Sequence, residues 1–253
     1  MAKYLTIPTN FNNDEFYRFR KMNEIIQKII IEQNSDSITI LDVGSGDGQF
    51  LSYIKSKCTK KVKFDFIGID KYVNKKFFDF KLLNNDIEEK LPIKSNSIDI
   101  VIAGEIIEHV KNTDLLINEL KRVIKKNGSI VLSTPNLGCY LNRFLLLLGY
   151  QPYHSEVSDA ESGFGQDLIY KILGRPKIGN KTAGHLRMFT YRAFVDFVYY
   201  YKLKLIRYYP VYFSSFRSDN KRTGVIKFFF FFDQLISKLF PQMSSGMIFH
   251  LTK

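Results

Sequence analysis

The sequence predicts an α/β protein built on a doubly wound, mostly parallel sheet. Short apolar runs alternate with helical patterns at separations too long for hairpins, a glycine turn follows the first run, and an acid closes the second. At 253 residues one main domain with a full hydrophobic core is the default.

A leading helix is read over residues 11 to 33, where Phe16, Phe19, Met22, Ile25, Ile26, Ile29 and Ile30 recur at i, i+3, i+4 spacing. Ile38 to Val43 is a strand that runs into Gly44-Ser45-Gly46-Asp47-Gly48, and a helix follows from Gln49 to about Lys57. Strands are then expected over Val62 to Ile69, Lys81 to Asn84 and Ile98 to Ala103. A helix over Asn112 to Lys126, stopped by Asn127-Gly128, precedes a strand over Ser129 to Ser133. After Pro135 the alternation breaks, and Gly, Pro, Ser and Asn are scattered through residues 149 to 186 around an apolar patch at Phe144 to Leu148. This stretch reads as an inserted cap after the fifth strand. Order returns with a helix over Tyr191 to Tyr200, a strand over Leu203 to Phe213, a helix over Val225 to Phe240 and a strand over Met247 to Leu251. The chain thus divides into residues 1–136 (leading helix and ligand-binding core), 137–189 (an acceptor lid) and 190–253 (elements that complete the sheet).

Composition narrows the function classes. Two cysteines, Cys58 and Cys139, are too few for a disulfide framework or a thiolate metal site. The N-terminal residues lack an apolar signal core and no apolar run reaches membrane-spanning length, so a cytoplasmic address is expected. The net charge of +12 comes from Lys scattered among Asn and Ile, with no basic block or aromatic-interleaved motif to support a nucleic-acid partner. Phe228, Phe229, Phe232, Leu235, Ile236 and Leu239 share one face of the helix over Val225 to Phe240, while Phe230 and Phe231 fall outside it. Either the helix packs on the sheet, or the surplus Phe contacts a partner or a membrane surface.

The glycine turn has the spacing GxGxG, not the GxGxxG of a dinucleotide site, and Asp42 adds a negative charge where a pyrophosphate would be repelled. A ligand with a cationic amine suits it better. Asp70, about two dozen residues on, suits the two hydroxyls of a ribose, and the carboxylate of Asp86 with Ile87 beside it suits an adenine amine and ring. Each acid alone could be a capped loop or a solvated strand end.

The strings LDVGSGDGQF, FIGID, NNDIEEKLPIKSNSIDIVIAGEIIEHV and ELKRVIKKNGSIVLSTPN follow in order. Over about residues 38 to 136 they resemble class I S-adenosylmethionine-dependent methyltransferases of the quinone-biosynthesis-like superfamily. The resemblance implies a Rossmann-like, seven-stranded sheet whose last strand is antiparallel. It also implies S-adenosyl-L-methionine as cofactor, with Asp42, Gly44, Ser45, Gly46, Asp70, Asp86, Ile87 and Ala103 around it. O-methylation of a small-molecule, lipid or glycan-type acceptor is the expected reaction. The alternatives are RNA 2′-O-methylation and a non-catalytic adenosylmethionine-binding subunit.

Methyl transfer to a hydroxyl needs a base as well as alignment, and Glu105, His109 and His185 are the candidates, with His154 in the cap. Glu105, Glu108 and His109 fall at i, i+3 and i+4, so on one helical turn they form a candidate divalent-metal site. The same ExxEH pattern resembles the metal site of small-RNA 3′-end and quinone-pathway O-methyltransferases. In the alternative, Glu108 and His109 only tie the strand end to neighbouring backbone.

Overall fold

The computed structural model describes residues 17–73, 80–173, 182–212 and 224–253; side chains of residues 172–173 and 224–230 lie outside the description. Seven strands form one sheet in the order β3-β2-β1-β4-β5-β7-β6. They are β1 (Ser37–Val43), β2 (Lys63–Asp70), β3 (Lys81–Asn84), β4 (Ile98–Gly104), β5 (Ile124–Pro135), β6 (Lys204–Val211) and β7 (Gly246–Thr252). Pairings are parallel from β3 through β5, and β7 runs antiparallel to both β5 and β6.

Residue alternation along the strands creates two cores. Ile38, Ile40, Phe66, Ile100, Ile102 and Val131 pack under α1 (Tyr17–Glu32) and α2 (Gln49–Lys57). Leu41, Val43, Val101, Leu132 and Phe249 face α3 (Thr113–Val123) and α6 (Tyr191–Tyr200) on the other side. Phe194 of α6 stacks on Phe249 of β7 at 4.2 Å between ring centroids, which fastens the antiparallel strand to its helix.

Most elements fall within a residue or two of their expected ends, but three places differ. Helix α3 stops at Val123, and residues 124–128, expected as helix end and turn, open β5. Ile124 already pairs with Ile98 before an irregularity re-registers the strands at Ile100–Ser129. Cβ on Gly128 would lie 2.9 Å from the Asp99 carbonyl oxygen, so this glycine allows close strand approach and does not end a helix. The insertion contains two helices, α4 (Tyr140–Leu147) and α5 (Asp167–Leu173), around a small core of Cys139, Leu141, Leu145, Ile169 and Tyr170. Buried amides hold its loops: Asn142 accepts from the Tyr153 N–H at 2.8 Å, and Gln166 donates to the carbonyls of Pro152 and Ser155.

The third difference is α7 (Gly224–Leu239). In its described half Asp233 and Ser237 are buried, while Phe232, Leu235 and Leu239, from the face expected to pack on the sheet, are exposed. Asp233 accepts a hydrogen bond from the Ser245 hydroxyl at 2.8 Å, so the inward face of this half is polar by design of its partner. The side chains of Phe228, Phe229 and Phe230, and residue Phe16 of the leading helix, lie outside the described residues.

Candidate functional site

The strand order reverses direction between β1 and β4, because the chain runs outward from β1 to β3 and returns to build β4 and β5. Such a switch point leaves a crevice at the C-terminal strand ends, between helices that lie on opposite faces. The candidate residues of the glycine turn, β2, β3 and β4 all end there.

Gly44 and Gly46 have φ of 79° and 55°, in the left-handed region where side chains are strained. A Cβ on Gly44 would strike the Ile106 side chain at 2.7 Å, whereas one on Gly46 would meet nothing within 4 Å. The first glycine thus admits a close neighbour and the second leaves open space over the turn. Asp70 holds the turn's shape by accepting from the Gly46 N–H and the Tyr72 N–H, each at 2.9 Å. Asp42 and Asp70 are both buried, and burial together with the Asp70 charge pushes the Asp42 carboxyl up to about 8. No ion pair joins either acid to a cation among the described residues. Asp86 differs: Lys71 Nζ lies 2.7 Å from its Oδ2, and this bond holds its carboxyl below the usual range. Ser45 is buried with its hydroxyl unpartnered, Ile87 packs on the core beside Leu83, and Ala103 is wholly buried, so only its backbone faces the crevice.

At the end of β4 the chain does not continue into an α-helical turn. Glu105 takes φ 55°, and a 3₁₀ turn follows over Ile107–His109. The expected shared helical face is therefore lost, and the three polar residues separate. Glu105 pairs its Oε2 with Arg18 Nη1 of α1 and accepts from the Ser133 hydroxyl at 2.8 Å through Oε1. Glu108 turns inward, fully buried; its Oε2 accepts from Thr134 at 3.0 Å and its Oε1 has no hydrogen-bond partner. Burial raises the Glu108 carboxyl, with His109 as the main opposing influence. His109 Nε2 lies 3.9 Å from that unpartnered oxygen.

The cap supplies the third member. Ligand atoms of Glu108, His109 and His185 all lie within 4.8 Å of one another. His109 Nδ1 is 3.0 Å from the Gly184 carbonyl and His185 Nδ1 is 2.8 Å from the His154 carbonyl. A carbonyl can only accept, so both rings donate through Nδ1, and Nε2 is the nitrogen left for another partner. Burial lowers the pKa of His185 and takes His154 down to about 3, which keeps both neutral. Two imidazoles oriented by carbonyls beside a buried carboxylate with one unpartnered oxygen fit a divalent cation.

The comparisons place this crevice in a family. A family model described as a methyltransferase domain matches residues 15–193. The chain belongs to the methyltransferase-domain family. Among relatives, a "Ubiquinone biosynthesis O-methyltransferase" of Rickettsia typhi is 32% identical over 165 residues, 60% of this chain and 65% of that protein. Its namesake from Rickettsia canadensis is 32% identical over 123 residues, 46% and 51% respectively, so the chain spans about half to two thirds of these relatives' length. A solved plantazolicin methyltransferase, in complex with a substrate analogue and S-adenosylhomocysteine, shares the fold at a TM-score of 0.54 and 16% identity. That match covers 94% of this chain and 85% of the other.

Two residues of this site were not singled out from sequence for the roles they hold. Arg18 stands one turn before Met22 on the buried stripe of α1, a position whose charge signals a buried partner, and burial lowers its pKa to about 10. Glu156 of the cap accepts from the N–H groups of Ala183, Gly184 and His185 at 2.6, 2.8 and 3.0 Å. Leu186 and Arg187 then donate to the Glu108 carbonyl, which closes the loop onto β4's end.

Proposed function

We propose that this methyltransferase transfers the methyl group of S-adenosylmethionine to a hydroxyl of a small-molecule, lipid or glycan-type acceptor. The observation that carries the reading is the pair of buried carboxylates, Asp42 and Asp70, at a glycine turn open above Gly46. When bound, S-adenosylmethionine supplies a methyl carbon activated by its sulfonium charge. Asp42 and Asp70 offset the ligand's positive charge, and the strained Gly44–Gly46 backbone lets it lie close to the turn. Gly46 and Asp70 are preset by their own hydrogen bond, so little ordering remains for binding to accomplish.

The acceptor end is assigned to Glu108, His109 and His185, with residues 137–189 as the acceptor-side cap. A divalent ion held there by those three residues would lower the pKa of an acceptor hydroxyl. Without such an ion, Glu108 Oε1 and the Nε2 of His185 are the acceptors available for the hydroxyl proton. Glu105 is assigned to positioning, because Arg18 and Ser133 occupy its oxygens. The names of the Rickettsia relatives support an oxygen acceptor.

Calorimetric titration of manganese into the full chain tests the cluster without knowledge of the acceptor. One ion should bind, and Glu108→Gln or His185→Ala should weaken it by about ten-fold or more. No binding by the wild type, or equal binding by both variants, removes the metal and leaves the proton-acceptor role alone.

A further inference from the structure

The described half of α7 is inside out. Asp233 and Ser237, four residues apart, are buried, while Phe231, Phe232, Leu235, Leu239 and Phe240 stand between 38% and 65% exposed. Helix α4 buries Leu141 and Leu145, yet Phe144, Leu146, Leu147 and the adjoining Leu148 are between 46% and 82% exposed. A helix normally turns such residues to the core, and scattered single apolar residues would need no account; nine on two elements do.

The two helices meet at one cleft. Helix α5 packs on α4 through the Ile169–Tyr170 core and also contacts α7. A cleft of about 610 Å³ at the seam is lined by Arg143 of α4, Leu239 and Phe240 of α7, and Arg192 of α6. Arg143 and Arg192 are exposed, as is Lys238 next to Leu239 in α7, and the single acid in the α7 sequence, Asp233, is the residue turned inward. The face is therefore apolar at its centre and cationic at its rim, on a chain of net charge +12.

We propose that this face docks on an anionic lipid bilayer, with the Phe and Leu side chains in the acyl boundary and the Arg and Lys heads at lipid phosphates. Charge complementarity selects this occupant: a second copy would bring another cationic rim to a cleft that no acid lines, whereas anionic headgroups neutralise it. No described helix is long and apolar enough to cross the membrane, so the contact is peripheral. Its position also matters. Helix α7 leads through Pro241–Met243 into β7, whose Gly246 pairs with Pro135 at the end of β5. The docking face thus lies at the end of the sheet where Asp70, Glu108 and His185 stand. Docking does not depend on which acceptor is methylated.

Flotation of the full chain with vesicles tests this. With vesicles of equal parts phosphatidylcholine and phosphatidylglycerol at low salt the protein should float; with phosphatidylcholine alone it should stay soluble. Leu147→Glu combined with Leu239→Glu should abolish flotation while the melting temperature and adenosylmethionine binding are retained, since both side chains face solvent. If that variant melts lower, Arg192→Gln with Lys238→Gln decides instead, and should weaken partitioning by about thirty-fold. Wild-type protein that stays soluble with both vesicles, floats equally with both, or is matched by both variants overturns the proposal. So does a wild-type dimer that the Glu variant dissociates without any vesicle binding, which would assign the face to a second copy.

Discussion

Asp42 sets a pH dependence that belongs to the folded protein. Burial and the Asp70 charge push its carboxyl up to about 8 in the fold, above the ordinary carboxylate range, so the associated stability is full below the unfolded pKa and is lost as pH rises toward 8. The ligand-free protein should therefore melt at progressively lower temperature across that window. Asp42→Asn, which keeps the shape and removes the charge, should flatten the profile and add on the order of a few kcal/mol at its alkaline end. Melting curves at a series of pH values check this, and parallel profiles for wild type and variant would show that Asp42 is not the group responsible. The residue's place at the turn was legible in Leu41-Asp42-Val43-Gly44. What could not be read was Glu105: one positive φ angle sends its carboxylate to Arg18, eighty-seven residues away in sequence, and breaks the i, i+3, i+4 geometry on which the metal reading rested.

Among elements, those bounded by local chemistry were the readable ones. Helix α2 follows a glycine N-cap and α6 follows Thr190, whose hydroxyl accepts from the Ala193 N–H, so both began and ended where the sequence indicated. The insertion was opaque because its order comes from buried amides that reach across ten or more residues, as Asn142 and Gln166 do, and such contacts leave no periodicity. Glu156 is the test of that order. With three N–H donors on one carboxylate, Glu156→Ala should speed amide exchange at Ala183, Gly184 and His185 by about ten- to a hundred-fold, with the central strands unchanged. Since His185 rides on this loop, the same variant should also weaken manganese binding. Exchange rates that match the wild type at those three amides would mean that the Leu186 and Arg187 bonds to Glu108 hold the loop by themselves.

For the whole molecule, the sheet order with one antiparallel strand is what brings the site together. Residues from the turn after β1, the ends of β2 and β4, and an insertion after β5 meet at one end because the parallel strands all finish there. That much followed from the alternating pattern of strands and helices, since it constrains topology even where single side chains are unread. The direction in which α7 faces did not follow, because an apolar stripe states which residues share a side and not what lies opposite it. The account stands or falls on the ligand at the glycine turn. Isothermal titration of S-adenosylmethionine into the wild type should give micromolar affinity, and Asp70→Ala should weaken it by about ten- to a hundred-fold. An affinity unchanged in Asp70→Ala, or no heat of binding to a wild type that is folded by its melting curve, would contradict it.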